Sequence, residues 1–411
     1  MTDDLFAEVN GDRVRVVRTG ASVVLADLSE ESYPKIGRDA AGRTRVAQMT
    51  TLGDYKILNT DKPLLIETVG TGSGSFGNNK YAMSVQSGQY LIRQSKRFHP
   101  YFSGKSQLAE FTFDGFGLQP GVTKRVGYFS STGNYDGIWL ENDGTTVYLK
   151  AARAGVETIS VAMEDWSGYS DVQGYNWNNF TVILFDFLWL GGAILNFWMK
   201  LPDGFLLVHS VPYAGTAPDI FIRSPNQPVR YEIRGVSGTG SLRYICCQVA
   251  TEGSIEESGA NRSVDTGSTG ISMALLGTTY PLKAIRKKSD HRDIAVSVDD
   301  LFVFITSLSD TVRWSLQINP TLSGALTYSD VTNSAVQEAS GNGVITVTAA
   351  GTVLASGVIA TGGIIPTSIL KRNFLAFLGS TIGNSMDAYV LCLTPITTTI
   401  VAFGGMSFRE Q

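Results

Sequence analysis

The chain has 411 residues and a net charge of −4, with 33 Lys and Arg against 37 Asp and Glu, which excludes the broad basic face that nucleic-acid binding needs. Charged residues make up only 17%, against about 25% in ordinary globular chains, while 43% are hydrophobic and 44 are glycine. That balance excludes disorder for most of the chain and a helical bundle, whose exposed faces are paved with charge.

Residues 1–54 read as an irregular N-terminal arm or adaptor. Arg13-Val-Arg-Val-Val17 is one short strand, and Asp27-Leu-Ser-Glu-Glu-Ser32 is a helical turn opened by a capping residue. The start, Met1-Thr-Asp-Asp-Leu5, lacks the basic region and apolar run of a signal peptide.

Residues 55–264 read as a first β-sandwich of jelly-roll type, with strand-like runs about every ten residues separated by glycine turns. Two hairpins are marked by Asp-Gly. Gly137–Leu140 and Thr145–Leu149 flank Asn142-Asp143-Gly144, and Ile194–Met199 and Phe205–Val211 flank Pro202-Asp203-Gly204. Phe180 to Met199 is twenty residues with one charge, Asp186. As a membrane span it would place that carboxylate near mid-bilayer, so it reads as two buried strands around Gly191-Gly192, and no membrane insertion is expected. Five of six tryptophans (Trp139, Trp166, Trp177, Trp189 and Trp198) fall in this block, as a large core requires.

Glu252 to Thr269 reads as a linker. Residues 265–411 form a second β-sandwich domain, with alternating runs at Asp293–Asp299, Leu301–Ile305, Val312–Ile318 and Gly343–Thr348. The expected fold class is therefore all-β: two sandwiches preceded by an irregular arm.

Chemistry-bearing motifs are few. Gly72-Ser-Gly74-Ser-Phe-Gly77 matches a dinucleotide fingerprint, but Lys80–Val85 after it reads as a strand, where the mechanism needs a helix. Gly104-Lys105-Ser106 imitates the end of a phosphate loop, yet His99 stands where its first glycine should be. Arg97, His99 and Lys105 among Phe98, Tyr101 and Phe102 could suggest a nucleic-acid stacking surface, but in an acidic chain they read as a packed corner or a subunit contact. The carboxylate pairs Glu164-Asp165, Glu256-Glu257 and Asp299-Asp300 are the available acid–base stock, and adjacent acids on a strand point to opposite faces. Three scattered histidines and three cysteines, two of them adjacent, supply no metal or triad pattern, so no catalytic residue, cofactor or metal is expected. Tyr169, Tyr175 and Trp177, in a Gly/Asn-rich stretch, are the candidate contacts for a glycan or receptor.

Several long stretches carry a resemblance: Gly88-Gln-Tyr-Leu-Ile-Arg-Gln-Ser-Lys-Arg-Phe-His-Pro-Tyr101, Ser103–Leu108, Arg125–Phe129, and Gly137-Ile-Trp-Leu-Glu-Asn-Asp-Gly144. They continue through Val182-Ile-Leu-Phe-Asp-Phe-Leu-Trp-Leu-Gly191, Ser224–Ile233, Trp314–Pro320, Tyr328–Gln337 and Ser407–Glu410. This ordered series, over roughly residues 45 to 411, resembles a widespread family of tailed-bacteriophage virion proteins described as structural, tail or fibre proteins. The resemblance implies location in a virus particle assembled in the bacterial cytoplasm, a β-rich body and a homo-oligomer, expected to be a trimer. A fibre-like or tail-associated appendage, held to other virion proteins through residues 1–54, is the leading expectation. A host-glycan-binding lectin-like protein and a capsid decoration or head-fibre protein are the rivals. Low charge agrees with surface hidden between copies, since the cores of stable interfaces are depleted of charge.

Overall fold

The computed structural model describes residues 39–411, apart from 41, 46, 59, 62–64, 132–133, 191–193, 254–258, 307–310 and 361–376, together with the backbone of three strands at Leu5–Val9, Asp12–Thr19 and Ser22–Ala26. Those three strands form an antiparallel meander, and the expected Arg13–Val17 strand lies within its middle member. The expected helical turn at Asp27–Ser32 falls outside the described residues.

A seven-stranded antiparallel sheet runs, edge to edge, through Val156–Ala162, Val147–Arg153, Asp136–Asn142, Val122–Ser130, Val229–Gly235, Tyr90–Ser95 and Ile66–Gly70. It packs on an eight-stranded sheet ordered Gly204–Pro212, Ile194–Leu201, Thr181–Leu188, Gln107–Asp114, Gly240–Glu252, Lys80–Val85 and Ser73–Gly77. The eighth strand, Met49–Asp54, pairs with the last part of Gly240–Glu252. The core between them is aromatic: Phe111 lies edge-on to Phe185 and Tyr231, at 5.8 and 5.9 Å, and Phe197 joins Phe185 to Trp166. Both Asp-Gly hairpins form as read. Gly144 and Gly204 take positive φ, and Asp143 Oδ1 accepts from the Thr145 and Thr146 amides to hold the first turn. The apolar run at 180–199 forms the paired strands Thr181–Leu188 and Ile194–Leu201, and no helix among the described residues is long and apolar enough to cross a membrane.

The second sandwich packs a six-stranded sheet on a four-stranded one. The first is ordered Ser329–Asp330, Val336–Ser340, Tyr280–Lys287, Ala388–Pro395, Thr311–Ile318 and Thr352–Ala360. In the second, the long strand Ile400–Glu410 pairs with Ala260–Asp265, Ile271–Met273 and Val296–Ile305. Leu282, Trp314, Leu391, Met406 and Phe408 fill the space between them.

Two boundaries differ from the sequence reading. The described residues of 39–54 belong to the first sandwich: Met49–Asp54 completes its sheet, and Arg45 is clamped between Asp186, at 2.6 Å, and Glu252, at 2.9 Å. Ala260–Asp265, read as linker and as the end of the first domain, is a strand of the second sandwich. Both segments bury few side chains deeply and are held by backbone ladders to distant strands, which leaves weak periodicity in the sequence. The two sandwiches also meet. The Asn226 amide donates to the Asp293 carbonyl (2.9 Å), the Ser380 amide donates to the Lys96 carbonyl (2.7 Å), and Phe98 lies 5.5 Å from the Lys287 ammonium.

Candidate functional site

The three sequence-selected aromatic residues do not make a binding platform. Tyr169 opens the single helical turn Tyr169–Val172 and is exposed. Tyr175 is half-buried, its hydroxyl 3.3 Å from Thr181 Oγ1. Trp177 is only 6% exposed and packs edge-on to Tyr175 and Trp166 and beside Phe116, at 5.0, 6.4 and 5.9 Å. An indole sunk that far presents no face to a sugar, so the expected contact role of Trp177 is corrected to a core role. The polar residues around it suggested a surface loop, whereas the ring turns inward.

The other motifs resolve into structure. Ser73–Gly77 and Lys80–Val85 are a hairpin, with no helix to receive a pyrophosphate. Ser106 Oγ is buried against Asp186, and His99 is buried between Tyr55 Oη (2.8 Å) and the Gln227 carbonyl (2.9 Å). Burial lowers the His99 pKa to about 4, which keeps its ring neutral. Glu164 and Asp165 are exposed, Asp299 pairs with Arg409 at 3.0 Å, and Glu256-Glu257 lies outside the described residues. Among the described residues no group of three His, Cys, Asp or Glu could hold a metal ion.

The densest electrostatic constellation lies on the outer face of the seven-stranded sheet. Alternation sends Val229, Tyr231 and Ile233 into the core and Arg230, Glu232 and Arg234 outward, with Arg125 and Glu141 beside them on neighbouring strands. Glu232 is fully buried there. Its Oε2 accepts from Arg230 Nε (3.0 Å), and its Oε1 accepts from Arg125 Nη1 and the Tyr135 hydroxyl, both at 2.9 Å, and from Arg234. Arg125 also pairs with Glu141, which accepts from Trp139 Nε1 at 3.2 Å and pairs with Lys150 at 3.2 Å. Phe129, Trp139 and Tyr135 roof the network, with Phe129 and Trp139 ring centres 5.2 Å apart and the Arg230 guanidinium 5.2 Å from the Phe129 ring. Gly127 and Gly137 face Trp139 and Phe129 in the register, so no Cβ on either glycine competes with the ring opposite. Burial alone would raise the Glu232 pKa, but Arg230, Arg125 and Arg234 outweigh it and hold it at about 2. Every acceptor site of this carboxylate is engaged, so it stabilises the sheet and is not poised for proton transfer.

The second constellation is apolar and was missed in the sequence. Val296–Ile305 and Ile400–Glu410 bury Leu301, Val303, Ile305 and Ala402, and turn Phe302, Phe304, Val401 and Phe403 outward. Phe302 and Val401 are each 37% exposed and Phe304 is 54% exposed. Phe304 pairs directly with Phe403, their ring centres 6.2 Å apart, and the Phe302 ring overlies Gly405. Leu275, Leu276 and Ile396 are exposed at the same end of the sandwich, just past the Met273–Ile400 pair. The signal was available: Leu301-Phe-Val-Phe-Ile305 is apolar at every position, where a half-buried strand should alternate with polar residues. These side chains make an exposed apolar patch on the outer face of the sheet.

Glu232→Gln leaves three guanidiniums around a neutral amide and is expected to destabilise folding by about 3–5 kcal/mol at neutral pH. Because the native carboxyl titrates near 2 and an unfolded one near 4.3, its contribution is complete above about 4.3 and is lost as pH falls toward 2. The stability gap between wild type and variant, measured by urea unfolding at stepped pH, should therefore narrow across that window. Trp177→Ala should cost about 3–5 kcal/mol by the same measurement, whereas exposed Tyr169→Ala should stay within about 0.5 kcal/mol of wild type.

No protein-family model and no curated protein matches the chain. Similar solved structures include the carbohydrate recognition domain of Emp47p, at 13% identity and TM-score 0.34 over 50% of this chain and 98% of that one. A legume lectin-like domain from Entamoeba histolytica is similar at 13% identity and TM-score 0.32, over 49% and 98% of the two chains. A carbohydrate esterase from a Shiga toxin-encoding bacteriophage is similar at 12% identity and TM-score 0.31, over 50% and 100%.

Proposed function

We propose that the protein is a non-catalytic structural component of a tailed-bacteriophage particle, working as a closed oligomer in a fibre-like or tail-associated appendage. The observation that carries this reading is the partly exposed apolar face of Phe302, Phe304 and Val401 around Phe403. Burying such a face contributes roughly 25 cal/mol for each Å² removed from water, a gain that copies of one chain obtain from one another. Cyclic symmetry would let every copy cover its face without leaving an open end, and a trimer is the order this reading assigns. Low overall charge supports it, because surface hidden between subunits needs no charge for solubility. The sequence resemblance to virion proteins supplies the particle. Attachment is assigned to residues 1–38, since the described residues of 39–54 are engaged in the first sandwich.

Light scattering of the purified chain should give a mass three times 44.3 kDa, and Phe304→Asp should shift it to one copy with an unchanged circular dichroism spectrum. A wild-type monomer at micromolar concentration would remove the assembly reading. In a complementation assay, protein lacking residues 1–38 should keep its oligomeric mass yet be missing from purified particles. Normal incorporation of the truncated chain would show that attachment lies elsewhere.

A further inference from the structure

The seam between the two sandwiches encloses a cleft of about 480 Å³, within the size range of small-ligand pockets. Leu65, Lys96 and Arg97 line one wall, from the ends of the Ile66–Gly70 and Tyr90–Ser95 strands. Ile318, Asn319, Leu354 and Asp387 are among those lining the other, from strand ends of the second sandwich.

The polar part of this cleft is held rigid. Asn319 sits in the left-handed region at φ 51°, its Oδ1 accepting from the Ala388 amide (2.8 Å) and its Nδ2 donating to Asp387 Oδ1 (2.7 Å). Gly379, beside the seam, lets the two walls approach: a Cβ there would collide with the Asp387 carboxylate and stand 3.2 Å from the Lys96 carbonyl. The Lys96 amide and carbonyl are both bonded, to the Leu65 carbonyl and the Ser380 amide, so its backbone is fixed from both sides. Its ammonium, by contrast, has no hydrogen-bond or ion-pair partner among the described residues. Lys96 is half-buried and lines the cleft, so an anion bound there could take a charge-assisted hydrogen bond from it.

We infer that this cleft binds an anionic sugar unit. Lys96 would pair with its carboxylate or phosphate, Asn319 and Asp387 would hydrogen-bond ring hydroxyls, and Leu65, Ile318 and Leu354 would pack on the apolar face of the ring. The inference goes beyond the structural role proposed above and does not depend on it, since it concerns the seam within one chain. Asp387, whose Oδ1 is engaged by Asn319, disfavours a ligand with two adjacent anions.

The test is saturation-transfer NMR on the full chain with glucuronate, glucose 6-phosphate and glucose. One of the two anionic sugars should give saturable transfer that weakens with added salt, and neutral glucose should bind at least about tenfold more weakly. Preference between the two anions identifies the group recognised. Lys96→Gln should lower the affinity at least about tenfold while leaving the melting temperature unchanged, and Leu354→Asp should weaken it through the apolar wall. The proposal is overturned if neither anionic sugar binds, or if binding is indifferent to Lys96→Gln. Neither result bears on the oligomeric mass or on incorporation into particles, so the two readings fail separately.

Discussion

A β-sheet has two faces, and a sandwich can hide only one of them. In this chain the inner faces are covered by aromatic residues such as Phe111, Phe185 and Phe197, and what happens on the outer faces sets the character of the molecule. The first sandwich closes the outside of its seven-stranded sheet with a buried ion network centred on Glu232 and roofed by Phe129, Trp139 and Tyr135. Removing those charges from water is costly, and the cost is offset only because each carboxylate oxygen meets its full set of donors. The second sandwich leaves Phe302, Phe304 and Val401 partly exposed. One outer face is thus tied down by ion pairs under an aromatic cover, and the other keeps apolar side chains partly exposed.

The parts legible in the sequence were those with local causes. Asp143-Gly144 and Asp203-Gly204 specify their turns through backbone angles available to few other residues, and both hairpins are present. The all-β class and the burial of the 180–199 run followed from composition and from the one charge in that run. Elements held by distant partners were not legible. Met49–Asp54 and Ala260–Asp265 bury Leu52 and Val264 and little else, so their ladders with residues about two hundred and about one hundred and fifty positions away left no pattern to read. The ionic face escaped for a different reason: Arg230, Glu232 and Arg234 alternate as a solvated edge would, and their burial comes from lateral packing against aromatic residues of other strands. Trp177 shows the converse, a core residue set among Gly and Asn.

The seam carries a related lesson. The corner at Phe98–Phe102 looked like a packed elbow, and it is one, with His99 tied to Tyr55 and Gln227. Packing at that corner fixes the backbone of Lys96, which lines the cleft. Sequence could place a basic residue beside aromatics, but not the opposite wall, which comes from residues more than two hundred positions later.

The strand Ile400–Glu410 is the shared partner of Ala260–Asp265, Ile271–Met273 and Val296–Ile305. During synthesis those three strands leave the ribosome before Ile400–Glu410 does, so this sheet closes only once that strand has emerged. The outward face of Phe304 and Phe403 is assembled in that same late event, because the two rings come from the strands that pair last. That face is therefore absent until Ile400–Glu410 has paired, however early Val296–Ile305 is made.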